Sequence, residues 1–478
     1  MPLSSPLETL DRQRKLVSLR ARRSMRTGAV VAAAVAAGAA AVGFAKLCDA
    51  AMAVHARLVG MNAALGPVLL LVGTPLCVWL TRRLAPAAAG SGIPQVIAAG
   101  EIGRGRGLDG EKIHDERVSM RTALVKVALA AMFLVCGGSI GREGPTVQIV
   151  AAVMVFLTGW LRGGPGRRTL LIAGGAAGVS AAFNTPIAGI VFAVEELARG
   201  FDKRANTVVI LAVVSAGVAA YALGGNYAYF GDMSGAAGWT AWISAALIGL
   251  VAGLLGGLFS RVMAAVLVGD NSVRRWREAR PVAFGAICGA VAAVAALLTG
   301  GATYGAGYIE AKSLLFGHFT SGGTLAAGKW LATLSAAASG APGGVFAPSL
   351  ATGAGLGALF AHLAPWAGAR EAVTLGMAGY LAGVVAAPLT SAVILMEMTR
   401  DPGLVGPLLL CTLVARRASE VVAPTPLYHA LARAWTRPRR RTGRLAPASA
   451  RVEADAQEAD PARASSGPRP LLPGSQYH

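Results

Sequence analysis

Carboxylates lie inside apolar stretches of this 478-residue chain. Glu143 belongs to the motif GREGP, residues 141–145, and Glu195 and Glu196 end the apolar segment FNTPIAGIVFAVEE. A carboxylate at membrane depth costs about 2.5–3.5 kcal/mol on the insertion scale for aspartate, so such a group indicates a function unless a helix end or a partner explains it. Proton transfer is the first chemistry that a buried carboxylate offers.

Three short motifs, GSGIP, GREGP and GVFAP, interrupt apolar runs, and each places glycine shortly before proline. Glycine adopts backbone conformations that are closed to other residues. Proline fits the first turn of a helix, where its missing N–H costs nothing. Each motif therefore predicts a loop that opens a helix within the membrane. The motif residues are Gly90, Ser91, Gly92, Ile93 and Pro94; Gly141, Arg142, Glu143, Gly144 and Pro145; and Gly344, Val345, Phe346, Ala347 and Pro348.

Helix starts of this kind are suited to binding an anion. Their N–H groups lack intrahelical acceptors and carry a partial positive charge. If the three starts meet, they form an anion site without a full positive charge, from which the ion can leave again. Ser91 and Tyr428, the latter in the motif PLY, add hydroxyl donors. The alternatives are that Ser91 caps a helix and that Tyr428 lies at the membrane interface.

The position of Glu143 at a predicted helix start gives its carboxylate a place in the same site, as a tethered competitor of the anion. Protonation would remove its charge and release the site. An anion about 4 Å away, at an effective dielectric constant near 20, favours protonation by about 4 kcal/mol. Binding of an anion and binding of a proton are therefore expected to be coupled. The alternative is a structural salt bridge between Glu143 and Arg142.

The composition indicates an all-α polytopic membrane protein. The chain is 54% hydrophobic and 14% charged, whereas soluble domains carry about 25% charged residues. The net charge of +20 does not favour nucleic-acid binding, because the basic residues lie mainly at the ends and in loops. By the positive-inside rule, both termini are expected in the cytoplasm.

Three regions follow from the distribution of charge and apolar runs. Residues 1–27 form a basic N-terminal segment, residues 28–435 a membrane block, and residues 436–478 a basic, proline-rich tail that we expect to be disordered. Scattered cysteines and histidines without CxxC or HExxH spacing predict neither disulfides nor a metal site, so an intramembrane metalloenzyme is disfavoured. A purely structural scaffold would not need interrupted helices.

The membrane block contains an internal repeat. Residues 171–197 and 373–399 align at a constant offset of 202, with halves at about 30–220 and 240–430. Duplicated halves with interrupted segments in equivalent positions are typical of transporters with inverted repeats; the alternative is chance similarity of Ala/Gly-rich helices. The alignment pairs Gly174 with Gly376, Pro186 with Pro388, and Glu195 with Glu397. Glu397 looks structural, which makes Glu196, rather than Glu195, the candidate for an inner proton acceptor.

Together these motifs resemble the CLC family of chloride channels and proton-coupled chloride antiporters, over about residues 28–435. The resemblance implies two inverted-topology repeats with many tilted and partial helices, and a homodimer with one pore per subunit. It implies that the hydroxyls of Ser91 and Tyr428 and the amides of Val345 and Phe346 hold the anion. GSGIP, GREGP and GVFAP would then be selectivity-filter segments.

By the same resemblance, Glu143 is the external gate and proton carrier, and Glu196 is the internal proton-transfer residue. An acid at position 196 favours an antiporter over a passive channel, and Ser91 favours chloride over nitrate. Val345 departs mildly from the isoleucine common in the family. No nucleotide-binding CBS pair follows, so we expect no bound nucleotide and no cofactor. The alternative is a passive voltage- or pH-gated chloride channel of the same fold; a bacterial inner membrane is the expected location.

Overall fold

The computed structural model describes residues 6–102, 115–159, 161, 164–198, 203–225, 229–231, 238–317 and 322–436. Within these ranges the chain forms eighteen α-helices, with two 3-10 turns, Pro86–Ala88 and Glu116–Val118, and a π-helical turn, Ala193–Ala198. The all-α class expected from the composition is confirmed. The helices are α1 (Pro6–Met61), α2 (Leu65–Leu84), α3 (Ile93–Ile102), α4 (Met120–Val135), α5 (Glu143–Thr158), α6 (Arg167–Phe183), α7 (Pro186–Phe192), α8 (Lys203–Gly224), α9 (Trp239–Val268), α10 (Ser272–Ala279), α11 (Pro281–Leu298), α12 (Tyr308–Leu315), α13 (Gly322–Ser339), α14 (Phe346–Leu363), α15 (Ala369–Val385), α16 (Pro388–Thr399), α17 (Val405–Val422) and α18 (Leu427–Thr436).

The chain contains both full-length and partial membrane helices. In the described part, six helices are long and apolar enough to cross a bilayer, namely α1, α2, α8, α9, α11 and α14. The apolar helices α5 and α16 are shorter, with 16 and 12 residues. A helix needs about 20 residues to span the hydrocarbon core, so α5 and α16 must begin or end inside it.

Two buried helices, α6 and α15, occupy equivalent positions in the two aligned segments. From Leu170 to Phe183 and from Ala372 to Val385, every residue is buried. Each helix ends at a residue in the left-handed region, Asn184 (φ 57°) and Ala386 (φ 66°). These residues are 202 positions apart, and a proline begins the next helix two residues after each of them.

Small residues let the central helices approach each other closely. A methyl group on Gly253 of α9 would lie 2.3 Å from the carbonyl oxygen of Ala415 in α17, and one on Gly353 of α14 would lie 2.3 Å from that of Gly376 in α15. Close backbone approach through small residues is the usual way in which membrane helices associate. The packing of α9, α14, α15 and α17 therefore depends on these glycines.

The basic N-terminal segment continues directly into the first membrane helix, because α1 runs without a break through residue 27 and the apolar run 28–44. At the other end, α18 closes at Thr436. Residues 437–478 lie outside the described residues, so disorder of the 436–478 tail stays a prediction.

Candidate functional site

The three interrupted motifs, hereafter the filter loops (90–94, 141–145 and 344–348), are joined through their backbones. The N–H of Gly90 donates to Ala341 O at 3.1 Å, and Gly343 N–H donates to Gly90 O at 3.1 Å. Gly141 and Gly344 exchange two N–H···O bonds of 2.8 Å each. These contacts form two isolated β-bridges, Gly90 with Pro342 and Gly141 with Gly344. The loops that the sequence predicted to converge therefore do meet.

Glycine is required where the filter loops touch. A methyl group on Gly144 would lie 2.2 Å from Ser91 Oγ and 3.2 Å from Gly344 Cα. One on Gly344 would lie 2.9 Å from Gly144 N. Side chains here would separate the loops, so their main chains can approach each other closely only because these positions are glycine.

Each filter loop leads into a helix start, as predicted: α3 begins at Ile93, α5 at Glu143 and α14 at Phe346. Val345 and Phe346 are each only 1% exposed. The first N–H groups of a helix have no intrahelical acceptor. Because these starts are buried where the loops meet, their amides are available to an anion bound there.

The hydroxyls of Ser91 and Tyr428 lie close to each other, and Ser91 Oγ lies against Gly144 of the second filter loop. Both residues are buried, and within the described part of the chain neither hydroxyl forms a hydrogen bond of good geometry. Ser91 does not cap α3, and Tyr428 is fully buried rather than interfacial. Buried polar groups normally have partners, so two unpartnered hydroxyls side by side are suited to a ligand.

Ring packing fixes the direction of the Tyr428 phenol. The rings of Phe346 and Tyr428 stack with centroids 6.0 Å apart and an interplanar angle of 9°. Phe183 and Phe192 flank Phe346 with centroids at 6.0 and 6.2 Å. Phe346, the first residue of α14, thus also packs against the ring of Tyr428.

Glu143 is 1% exposed at the start of α5. Its Oε1 accepts a hydrogen bond of 2.6 Å from the hydroxyl of Tyr308, the first residue of α12. A methyl group on Gly141 would lie 2.3 Å from Glu143 Oε2 and 3.2 Å from Ala347 Cβ. The carboxylate therefore lies against the filter loops, where an anion could also bind.

Arg142 does not neutralise Glu143 by an ion pair in the described structure. Its Nη1 instead binds Asp49 Oδ1 at 2.8 Å and Ala45 O at 3.1 Å. Its guanidinium carbon lies 5.5 Å from the ring centroid of Tyr229. The alternative of a structural Glu143–Arg142 salt bridge is thus not what the structure contains.

The second predicted proton-transfer residue, Glu196, is 2% exposed in the π-helical turn after α7. Its Oε1 lies 3.5 Å from Nε2 of His429, whose side chain is 13% exposed. Tyr428, adjacent to His429, lies within electrostatic range of both Glu143 and Glu196. Both candidate acids therefore interact electrostatically with Tyr428, whereas neighbouring Glu195 binds the start of α16.

Two buried lysines, one of which binds a filter loop, were not identified from the sequence. Lys126 of α4 is fully buried and donates to Gly90 O at 3.0 Å. Lys329 of α13, also fully buried, donates to Thr303 O and Gly305 O at 2.9 and 2.8 Å. The sequence did contain a signal for such a residue, because Lys126 lies inside the apolar run LVKVALAAMF and a charged residue in such a run indicates a function.

A polar cluster centred on Asp115, outside the membrane-spanning segments, contacts α5 through Gln148. Asp115 accepts hydrogen bonds from Arg117 Nε at 2.8 Å and from Arg167 Nη2 at 3.2 Å. Gln148 of α5 donates to Arg117 O, and Arg117 Nη1 donates to Trp435 O at 2.6 Å. Burial alone raises the pKa of Asp115, but the two guanidinium groups hold it below its ordinary value of 3.8.

Known proteins share this architecture. A slow cyanobacterial Cl⁻/H⁺ antiporter is 25% identical, with a TM-score of 0.72 over 87% of this chain and 99% of its own. A CLC-type fluoride/proton antiporter is 23% identical, with a TM-score of 0.68 over 85% of this chain and 98% of its own. A eukaryotic CLC transporter is 21% identical, with a TM-score of 0.68 over 86% and 74%. The last two similarities concern the fold alone.

The sequence matches the family model described as voltage gated chloride channel over residues 73–420. That range contains the three filter loops, Glu143 and Glu196, and it covers most of the membrane block. The chain therefore belongs to the CLC family of anion-transporting membrane proteins.

Proposed function

We propose that this protein is a secondary active antiporter that exchanges chloride for protons across the membrane. The observation that carries the proposal is the buried carboxylate of Glu143, which lies against the filter loops beside the start of α14. An acid in this place competes with the anion for the same donors. Its protonation state therefore controls whether the anion can pass.

In the proposed cycle, the hydroxyls of Ser91 and Tyr428 and the amides of Val345 and Phe346 hold the central anion. None of these donors carries a full positive charge, so the anion is bound weakly enough to leave. When Glu143 is protonated it no longer competes, and chloride moves through. A bound chloride in turn favours protonation of Glu143 by electrostatic repulsion, which couples the two ions.

Protons would reach Glu143 from the cytoplasm through Glu196. The support is the burial of Glu196 and its electrostatic proximity to Tyr428, which also interacts with Glu143. The imidazole of His429, with Nε2 3.5 Å from Glu196 Oε1, is a polar neighbour at this end. The similar cyanobacterial protein is a slow Cl⁻/H⁺ antiporter, which supports the exchange of these two ions.

The wider proposal follows the family. The protein is a homodimer with one pore per subunit, embedded in a bacterial inner membrane with both termini in the cytoplasm. The basic loops support this orientation by the positive-inside rule. Chloride and protons are its transported ligands, and it uses no cofactor, metal or nucleotide.

Simultaneous chloride and proton fluxes of the purified full chain in liposomes test the proposal. Chloride flowing down its gradient should drive protons in the opposite direction against theirs. Chloride flux without proton movement would identify a passive voltage- or pH-gated channel instead. Proton movement driven by fluoride but not by chloride would mean that fluoride, rather than chloride, is the exchanged anion.

A further inference from the structure

The carboxylate of Glu143 is held by a residue that the proposed anion site does not use. The hydroxyl of Tyr308 donates to Glu143 Oε1 at 2.6 Å. Each residue is the first of its helix, and they lie 165 positions apart in the chain. This hydrogen bond therefore connects α12, in the second half of the membrane block, to the predicted gate in the first.

The backbone before Tyr308 is fixed. Gly307 has φ +82°, and a methyl group on it would lie 2.5 Å from Ala351 Cβ in α14. The buried ammonium of Lys329 binds the carbonyl oxygens of Thr303 and Gly305 in the preceding loop. Tyr308 is thus presented to Glu143 from a rigid support rather than from a loosely attached loop.

The ring of Tyr308 is fixed as well, and its packing leads back to the same filter loop. Its centroid lies 4.6 Å from that of Tyr229 and 6.1 Å from that of Phe230. The guanidinium of Arg142 lies 5.5 Å from the centroid of Tyr229. Arg142 therefore packs on Tyr229, which belongs to the same aromatic cluster as Tyr308, the residue whose hydroxyl donates to Glu143.

We propose that Tyr308 is a latch: it holds the ionised carboxylate of Glu143 against the filter loops and sets the pH at which the gate releases. The inference rests on the proposed function of Glu143 as the gate. A phenol O–H donates more strongly to a carboxylate than to a protonated carboxyl group. Protonation of Glu143 therefore weakens the latch at the moment when the site must open.

Other titratable and charged groups also face Glu143 from the surrounding elements. They are Arg142 with its partner Asp49, the phenol of Tyr428, and the thiol of Cys48. Among the described residues, Tyr308 is the one whose side chain forms a hydrogen bond with the carboxylate. Substitution of Tyr308 therefore removes a specific partner and leaves the neighbouring charges in place.

The variant Y308F removes one oxygen and keeps the ring contacts with Tyr229 and Phe230. Y229F is the matched control, because it loses a hydroxyl from the same cluster while the Tyr308–Glu143 bond remains. In liposomes containing the full chain, Y308F should shift the pH of half-maximal chloride transport upward by about one unit. Y229F should remain at the wild-type midpoint. An unshifted Y308F, or an equal shift in both variants, would overturn the latch.

Infrared titration of the purified protein separates this inference from the proposed function. The band of the protonated Glu143 carboxyl is the one that E143Q lacks, and its midpoint should move upward in Y308F but not in Y229F. If it moves while liposomes transport no chloride, the latch stands and the proposed antiport fails. If the band titrates identically in wild type and Y308F, the latch is wrong even when transport is coupled.

Discussion

Glu195 and Glu397 form a reciprocal pair of contacts. Glu195, just after α7, binds the amino-terminal end of α16, and Glu397, in α16, binds the amino-terminal end of α7. Glu195 accepts hydrogen bonds from the N–H groups of Leu389 and Thr390 in α16, at 3.0 and 2.7 Å. Glu397, in α16, accepts two from N–H groups of α7, at 3.2 and 2.7 Å. Helix starts offer unpaired donors and a partial positive charge, so both carboxylates have structural partners.

This reciprocal capping predicts opposite outcomes for two adjacent glutamates. E196Q should abolish proton flux while chloride flux persists, because an amide cannot carry the proton. E195Q should keep coupled exchange but lower the melting temperature in detergent, since a charged cap contributes about 1 kcal/mol. Chloride and proton fluxes measured in parallel test both variants, and melting temperatures in detergent test the expected loss of stability in E195Q. Normal proton flux in E196Q would show that this residue is not the inner acceptor.

Glu143 should account for the pH dependence of chloride transport. In E143Q the side chain is permanently neutral and cannot compete as an anion, so chloride flux should become independent of pH and proton flux should stop. E278Q, at a half-exposed glutamate of α10, is the control and should behave as wild type. Persistent acid activation of E143Q would assign the gate to another group.

G141A should disturb the gate without removing its charge. The added methyl group would lie 2.3 Å from Glu143 Oε2, so the carboxylate must leave its position. Each 1.4 kcal/mol of lost gate stability should strengthen chloride binding about tenfold at neutral pH, which calorimetry can measure. The control is G43A in α1, because its methyl group meets nothing within 4 Å. Equal chloride affinity in G141A and wild type would contradict the proposed competition.

Lys126 should support the first filter loop. K126M keeps the length of the side chain but removes the hydrogen bond from Nζ to Gly90 O, and such a bond contributes about 0.5–1.5 kcal/mol. We expect chloride binding to weaken by up to about tenfold. K46M, at an exposed lysine of α1, should bind chloride as wild type does. An unchanged affinity in K126M would show that this bond does not shape the site.

The Asp115 cluster predicts a pH-dependent contribution to stability. The arginine partners lower the pKa of Asp115 in the folded protein, so its stabilisation is fully present above its ordinary value of 3.8 and is lost as the pH falls through the lower folded value. D115N should therefore lower the melting temperature at neutral pH, by a few degrees. The difference from wild type should shrink in strong acid. A difference that is constant with pH would assign the loss to packing.

Short-range features of the sequence were enough to place the filter loops and the helix starts. Glycine and proline in GREGP and GVFAP act within a few residues, so their effect on α5 and α14 was predictable. The contact between Tyr308 and Glu143 was not, because nothing around YGAGYIEAK points to a partner 165 residues away. The ion pair of Arg142 with Asp49 was missed for the same reason.

The role of Glu195 was only partly predictable from the sequence. The repeat paired it with Glu397 and suggested that both are structural, which their hydrogen bonds agree with. The repeat could not give the partner of either residue, since each binds the helix from the opposite half. The sequence pattern predicts helices and the residues at which they begin and end. Which two distant helix ends contact each other depends on the complete three-dimensional packing.

The two bridges between filter loops also bear on how the protein is made. Gly90 and Gly141 form these backbone contacts with residues 341–344, which leave the ribosome some two hundred residues after Gly141. A nascent chain with only its first half inserted therefore lacks the contacts that hold the filter loops together. If the protein transports ions as proposed, such a half-built chain should leave the ion gradients of the cell intact during translation.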